Sequence, residues 1–158
     1  VLGVEGDLQC RGSLLFAGYV QGRELTEESW DGSWFKTGDR AVMNDDGSIR
    51  ITGRSKDIII RGGENIPVKE VEDLLLRHPQ VLGVAIVGKP DERLGETGCA
   101  FVIAADKSPT LDALTEFLEV EGVTRQFWPE DLVLVEEFPM TPSGKVQKYK
   151  LREEFLAK

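Results

Sequence analysis

The chain has 158 residues, which suits one ordinary domain or a small domain with a fragment of another. Its residues are 41% hydrophobic and 30% charged, proportions typical of a soluble globular protein. Acidic residues outnumber basic ones by 28 to 19, and the formal net charge of −9 argues against a nucleic-acid-binding surface and against binding to an acidic membrane.

The two cysteines, Cys10 and Cys99, are far apart in sequence and form neither a zinc spacing nor a C-x-x-C pair. We therefore expect reduced thiols and a cytoplasmic protein. No apolar run is long enough to span a membrane and no signal peptide opens the chain, so we expect no integral membrane segment. The first residue is Val1 rather than Met, which leads us to expect a piece of a longer product.

Short apolar runs separated by glycines occupy residues 1–20, a pattern that favours strands and turns over helix. We predict strands near residues 7–11 and 14–16. Thr26 is a candidate N-cap for a short helical turn that ends at Trp30.

Residues 44–48 read NDDGS and predict a hairpin turn between strands at 40–43 and 49–53. In the second strand, apolar Ile49 and Ile51 alternate with polar residues, which predicts a half-buried strand. The turn lacks the spacing of a calcium loop, and we predict no metal site.

Residues 34–39, WFKTGD, end in an aspartate whose carboxylate can accept hydrogen bonds from two neighbouring hydroxyl groups. From the residues alone, the more common role of Asp39 after Gly38 is to cap a turn.

Residues 53–72, GRSKDIIIRGGENIPVKEVE, form the stretch around which the chain is organised. A charged turn leads into the β-branched run 58–60, which favours a strand buried on at least one face. Gly62 and Gly63 permit positive φ or a close approach of backbone to a ligand. A glycine loop at a helix start suits an anionic ligand, although the residues alone favour a plain strand–loop–helix connection.

The remaining residues predict an alternation of helices and strands. Helices are expected at 67–77, 111–122 and 148–158, strands at 81–87, 95–105 and 132–135, and a turn at 89–91. His78, the single histidine, lies at a helix end without a nucleophile nearby in sequence, so we expect no catalytic role for it. Residues 139–145 read PMTPSGK, and Lys145 lacks the glycine spacing of a P-loop.

Three of these motifs, in one order, resemble those of the adenylate-forming superfamily, which includes acyl-CoA synthetases, firefly-type luciferases and peptide-synthetase adenylation domains. WFKTGD resembles the ribose-binding motif, GRSKDIIIRGGENI the inter-domain hinge, and PMTPSGK the C-terminal catalytic loop. The GGENI version is most similar to acyl-CoA synthetases that act on fatty or related carboxylic acids. The resemblance covers nearly the whole chain and identifies it as the C-terminal portion of such a synthetase.

The resemblance implies roles for individual residues. They are Asp39 and Arg54 for nucleotide binding, Lys56 as the hinge, Gly62 and Gly63 as the loop beside the CoA tunnel, and Lys145 as the catalytic lysine. A lysine ammonium suits the last role because adenylation builds negative charge on the carboxylate and the α-phosphate. One departure is the run Gln126-Phe127-Trp128 before Pro129, where the family often has a lysine.

The resemblance also implies an α+β fold. Residues 1–55 are expected to be the β-rich tail of a large N-terminal domain. Residues 56–158 are expected to form the small mobile C-terminal domain, with a central three-stranded sheet flanked by helices and an additional hairpin near the hinge.

The implied substrates of the full enzyme are ATP with Mg²⁺, a carboxylic acid and CoA, without a tightly bound cofactor in this chain. The missing N-terminal domain would be its intramolecular partner, a homodimer is left open, and no nucleic acid is expected. The chain alone is expected to have little activity.

Two alternatives remain open. An adenylation domain of a peptide synthetase would load a carrier protein instead of CoA. A stand-alone binding module without catalysis is the other, although residues 1–52 argue against it because they carry ribose-binding sequence.

Overall fold

The computed structural model describes residues 2–20 and 22–156. The chain divides into two compact units, Val1–Lys56 (unit 1) and Asp57–Lys158 (unit 2).

Unit 1 is an antiparallel sheet of four strands built around one long strand. Its elements are β1 (Glu5–Cys10), a short helix α1 (Arg23–Glu28), β2 (Trp30–Asp31), β3 (Trp34–Met43) and β4 (Ile49–Arg54). The long strand β3 pairs with each of the other three. The predicted hairpin is confirmed: Gly47 turns at φ +82°, and the Asn44 N–H donates to the Ser48 carbonyl at 2.9 Å.

Three local predictions for unit 1 are wrong. Residues 14–16 form a turn and a bend rather than a strand. The helix α1 begins before Thr26, whose hydroxyl donates to the Gly22 carbonyl one turn earlier (2.7 Å) instead of capping the helix. Ile49 and Ile51 are about half exposed, at 50% and 51%, so the side of β4 that was expected to be buried lies at the surface of unit 1.

Unit 2 has the predicted α+β architecture. Its central strands are β7 (Val81–Asp91), β8 (Gly95–Ala104) and β9 (Asp131–Leu134), its hairpin is β5 (Ile59–Arg61) with β6 (Glu64–Ile66), and its helices are α2 (Val68–Leu75), α3 (Leu111–Val120) and α4 (Lys148–Leu156). The strand β8 lies antiparallel to β7 and parallel to β9. The hairpin joins β8 through the pair Arg61 and Gly95, so the predicted three strands and hairpin form one five-stranded sheet.

Alternate residues along β7 and β8 face opposite sides of this sheet, as the strand period of two requires. Ile86, Ala100 and Val102 pack in one core cluster with α2 and α3. The second cluster contains Val87, Phe101 and other residues of these strands, and Leu151 of α4 is 1% exposed within it. The helices therefore flank the sheet, with α2 and α3 on one face and α4 on the other.

One prediction for unit 2 is wrong. Residues 89–91 continue β7 instead of forming a turn, and Pro90 pairs with Glu96 of β8. Among the described residues β7 pairs with β8 alone, so Pro90 lies in an edge strand, where its missing N–H costs no ladder hydrogen bond. The predicted last helix is present over Lys148–Leu156, and the predicted residues 157–158 lie outside the described part.

Candidate functional site

In unit 1, the structure brings together the two predicted nucleotide-binding residues. Asp39 of β3 and Arg54 of β4 are register partners, and the Arg54 Nε donates to Asp39 Oδ1 at 2.7 Å. A second guanidinium nitrogen, Nη2, lies 3.4 Å from the Thr37 carbonyl. The side chains are 57% and 30% exposed, so the pair lies at a surface that a ligand can reach.

The backbone around Asp39 explains why its carboxylate is presented there. Gly38 has φ +76°, a left-handed conformation that costs glycine little. The Thr37 hydroxyl donates to the Leu8 carbonyl at 2.8 Å and accepts the Asp39 N–H at 3.0 Å. The turn-capping role considered for Asp39 is thus filled by Thr37, and the Asp39 carboxylate is held by Arg54.

A charged network next to this pair braces the sheet of unit 1. Arg40 contacts two carboxylates of β1, with Nε 2.9 Å from Glu5 and Nη1 3.4 Å from Asp7. The Thr52 hydroxyl donates to Glu5 at 2.5 Å, and this bond, with the charge of Arg40, lowers the pKa of Glu5 below its usual value. The Ser55 hydroxyl donates to Asp7 at 3.0 Å, which ties the last residues of unit 1 to β1.

Lys56 is the last residue of unit 1 and lies in a single 3-10 turn, Ser55–Asp57. Its side chain is exposed. The division of the chain thus falls directly after the residue that the sequence resemblance implies as the hinge.

Gly62 and Gly63 form the two-residue loop of the β5–β6 hairpin, between the paired residues Arg61 and Glu64. Their φ angles are +59° and +86°, and positive φ at both positions is the requirement of a type I′ turn. The Gly62 N–H donates to the Leu94 carbonyl at 2.7 Å, which attaches the loop to the β7–β8 turn. A Cβ at Gly63 would meet no other heavy atom within 4 Å. Glycine is therefore favoured here by the positive φ rather than by close packing, and the space beside it is open.

The predicted catalytic lysine lies on a tight loop of unit 2. Met140 and Val146 form an isolated antiparallel bridge that closes the loop, and Gly144 turns at φ +79°. Lys145 is exposed, and no backbone or side-chain group that the structure describes forms a hydrogen bond or ion pair with its ammonium group. The loop therefore fixes the backbone of Lys145 and leaves its charge available.

Thr141 is a further residue of this loop that the sequence analysis did not single out. Its N–H donates to the Lys145 carbonyl at 2.8 Å, and its hydroxyl accepts the Lys145 N–H at 3.0 Å. The same hydroxyl lies 2.9 Å from the Ser143 hydroxyl. A Thr four residues before the lysine of a Ser-Gly-Lys turn is the sequence signal, because short hydroxyl side chains commonly bond to backbone groups of their own turn.

The departure at residues 126–128 also has a structural consequence. Gln126 lies in a 3-10 turn, Arg125–Phe127, and its carbonyl accepts a hydrogen bond from Arg61 at 3.1 Å. Its side chain donates to Glu64 of β6. Gln126 thereby ties the segment before Pro129 to both strands of the glycine hairpin.

Apart from the hinge residue Lys56, the predicted site residues fall into three groups. Asp39 and Arg54 meet in unit 1, whereas the glycine pair and Lys145 lie on two separate loops of unit 2. Within the described ranges, no cluster of three or more His, Cys, Asp or Glu residues is arranged to hold a metal ion, and no helix is long and apolar enough to cross a membrane.

Known proteins resemble this chain in sequence and in structure. The model of the AMP-binding enzyme C-terminal domain matches residues 70–145. The medium-chain fatty-acid–CoA ligase of Escherichia coli (strain K12) is 43% identical over 157 residues, an alignment that covers 98% of this chain and 28% of the ligase. The chain therefore spans less than a third of the length of that relative.

Two solved structures resemble the chain throughout. The amide bond synthetase McbA from Marinactinospora thermotolerans is 33% identical with a TM-score of 0.87, covering 98% of this chain and 32% of McbA. ATP-bound MatB from Rhodopseudomonas palustris is 29% identical with a TM-score of 0.90, covering 98% of this chain and 31% of MatB.

Proposed function

We propose that this chain, which resembles adenylate-forming (AMP-binding) enzymes along its length, is the C-terminal portion of an acid–CoA ligase. The observation that carries the proposal is the loop of Lys145, whose backbone is fixed on both sides by Thr141 while its ammonium group is exposed. The 43% identity with a medium-chain fatty-acid–CoA ligase supports a carboxylic acid as the substrate.

The first half-reaction joins the acid to AMP. A carboxylate oxygen of the acid attacks the α-phosphorus of ATP, a new P–O bond forms, and the bond to the β-phosphate breaks to release pyrophosphate. ATP enters as its Mg²⁺ complex. Asp39 accepts hydrogen bonds from the ribose hydroxyls, with Arg54 holding its carboxylate at 2.7 Å. The Lys145 ammonium stabilises the negative charge that develops on the acid and the α-phosphate.

The second half-reaction transfers the acyl group to CoA. The CoA thiol, losing its proton, attacks the acyl carbon and AMP leaves. Lys56 is the hinge between two arrangements of the enzyme, one presenting Lys145 and the other presenting the Gly62–Gly63 loop. The open space beside Gly63 supports a place for the thiol arm of CoA.

The second candidate function is transfer of the acyl group to an acceptor other than CoA. Its specific support is the 33% identity with an amide bond synthetase, whose name indicates an amine as acceptor. A carrier protein, as in peptide-synthetase adenylation domains, would use the same first half-reaction. These candidates differ in the second half-reaction alone, so acceptor choice separates them. A cytoplasmic location and a homodimer stay predictions.

The proposal is tested with Lys145→Ala in the complete ligase that carries this chain. We expect pyrophosphate release to fall by about 10²- to 10³-fold, the usual cost of removing one group that stabilises transition-state charge. Thioester formation from supplied acyl-adenylate should stay within a few-fold of wild type. Lys107→Ala, which changes another exposed loop lysine of unit 2, is the matched control. Equal loss of both half-reactions would sink the assignment of Lys145.

A further inference from the structure

A buried carboxylate connects three elements of unit 2. Glu72 lies on α2 and its side chain is 10% exposed. Its Oε1 atom accepts the Ile86 N–H of β7 at 2.6 Å and lies 2.8 Å from the Nζ of Lys148, the first residue of α4. Lys148 itself is only 20% exposed. The Glu72 Oε1 atom thus connects α2, on one face of the central sheet, with α4 on the other face and with the strand β7.

Buried ion pairs of this kind are a poor device for stability alone. Removing two charges from water costs free energy that their attraction repays only with good geometry, and apolar residues of equal volume often serve as well. Such a pair is better explained by a need to fix the position of the elements that it joins. Here the position is defined by the Ile86 N–H, which orients the Glu72 carboxylate toward the start of α4.

The start of α4 is where the loop of Lys145 ends. Lys148 follows Lys145 by three residues, and the intervening backbone is held in place. The Gln147 N–H donates to the Pro139 carbonyl at 2.7 Å, next to the bridge between Met140 and Val146. A restraint on Lys148 is therefore transmitted through a short, closed segment to the backbone of Lys145.

A second pair holds α4 one turn later. Arg152 Nη2 lies 2.9 Å from Glu96 Oε1 of β8, and Glu96 Oε2 accepts the Ile60 N–H at 3.1 Å. Leu151, between the two cations in sequence, is buried in the core. The helix is thus attached at both Lys148 and Arg152, and the first attachment is the one adjacent to the lysine loop.

We propose that Glu72 and Lys148 are positioning residues that hold the Lys145 loop in the conformation used for adenylation. The pair does not touch substrate and acts through the backbone of residues 145–147. The catalytic part of this inference rests on the proposed function, but the structural part does not. Loss of the pair loosens the loop whatever reaction the loop serves.

The structural part is tested by amide hydrogen exchange on the 158-residue chain, read at the amides of Lys145 and Gln147. Both amides are hydrogen-bonded across the loop. We expect Lys148→Met and Glu72→Gln to speed their exchange about tenfold, a local change of the size that coupled contacts produce. Asp73→Asn, which breaks the exposed pair of Asp73 with Lys69 on the same helix, is the matched control and should change neither amide.

Each single variant leaves one charge buried without its partner, which endangers folding. The double variant Glu72→Gln/Lys148→Met removes both charges and keeps a side-chain oxygen for the Ile86 N–H, so it keeps the test valid if a single variant fails to fold. Lys148→Arg retains the cation and should restore slow exchange. Unchanged exchange in the folded double variant would overturn the proposal.

The catalytic part is tested in the complete ligase with the same variants. We expect Lys148→Met to lower kcat of adenylation about tenfold. The KM for ATP and the rate of thioester formation from supplied adenylate should stay within about twofold of wild type. Lys148→Arg should recover most of the lost kcat. A parallel fall in both half-reactions would indicate a merely structural role and overturn this part. If wild type forms no adenylate at all, the proposed function fails, and the exchange result still decides the positioning role.

Discussion

The glycine hairpin of unit 2 makes a sharp prediction about stability. Gly63 has φ +86°, and alanine in the left-handed region costs roughly 1–2 kcal/mol. A Cβ at this position meets no other heavy atom within 4 Å, so no steric term adds to the cost. Alanine also restricts the unfolded chain, which returns roughly 0.4–1 kcal/mol. We therefore expect Gly63→Ala to destabilise unit 2 by about 1 kcal/mol, the difference of these two effects.

The assay is thermal unfolding of the 158-residue chain followed by far-UV circular dichroism, in which α2, α3 and α4 of unit 2 dominate. A loss of about 1 kcal/mol should lower Tm by about 4–8 °C for a unit of this size. Gly62→Asn is the control, because asparagine is favoured at the first position of a type I′ turn and should change stability by less than about 0.5 kcal/mol. A Tm unchanged or raised in Gly63→Ala would refute the backbone argument. A loss above about 3 kcal/mol would also refute it, by revealing a steric clash.

Three further predictions concern pH, thiol reactivity and the hinge. His78 is buried against Phe117, with ring centroids 5.2 Å apart, and burial lowers its pKa below 6.5. Because the unfolded chain then binds the proton more tightly, the contribution of neutral His78 to the free energy of unfolding is fully present above pH 6.5 and is lost as pH falls through the lowered pKa. Between about pH 7 and pH 5, Tm should therefore fall less in His78→Gln than in wild type. Equal slopes of Tm against pH in the two proteins would contradict this. Cys99 is 0% exposed and burial raises its pKa to about 12. Iodoacetamide should therefore label Cys10 in the native chain and Cys99 only after denaturation, as read by mass spectrometry. Labelling of Cys99 in the native chain would count against its burial. Lys56→Pro fixes φ at this position near −65° and so restricts rotation at the proposed hinge. In the complete ligase it should slow thioester formation about tenfold or more while leaving adenylation unchanged. An unchanged rate of thioester formation would contradict the hinge role of Lys56.

The parts of the fold that the sequence predicted are those set by local patterns. The hairpin at residues 44–48 and the helices α2 and α3 follow from turn residues and apolar spacing, and the structure has them within a few residues. The turn expected at residues 89–91 is wrong because Pro90 was interpreted without knowing that β7 is an edge strand. The cap assigned to Thr26 is wrong because a hydroxyl inside a helix can equally donate to the carbonyl one turn earlier.

The residues of the candidate site came from sequence motifs and their roles stay predictions, whereas the contacts that support them could not be predicted from the sequence. Asp39, Lys56 and Lys145 came from motifs that resemble a known family, and no local pattern would have separated them from ordinary surface charges. The restraints on these residues join distant parts of the chain. Glu72 and Lys148 are far apart in sequence, and a glutamate in a helix normally indicates a solvated face. Such pairs become visible only when packing brings their elements together.

The central claim is that this chain is part of an enzyme that forms an acyl-adenylate and passes the acyl group to CoA. The most direct measurement is mass spectrometry of the products that the complete protein makes from ATP, Mg²⁺ and a medium-chain fatty acid, first without CoA and then with it. We predict acyl-adenylate and pyrophosphate in the first reaction, and acyl-CoA with AMP in the second. Formation of ADP, or of an adenylate that reacts with an amine or a carrier protein but never with CoA, would contradict the claim.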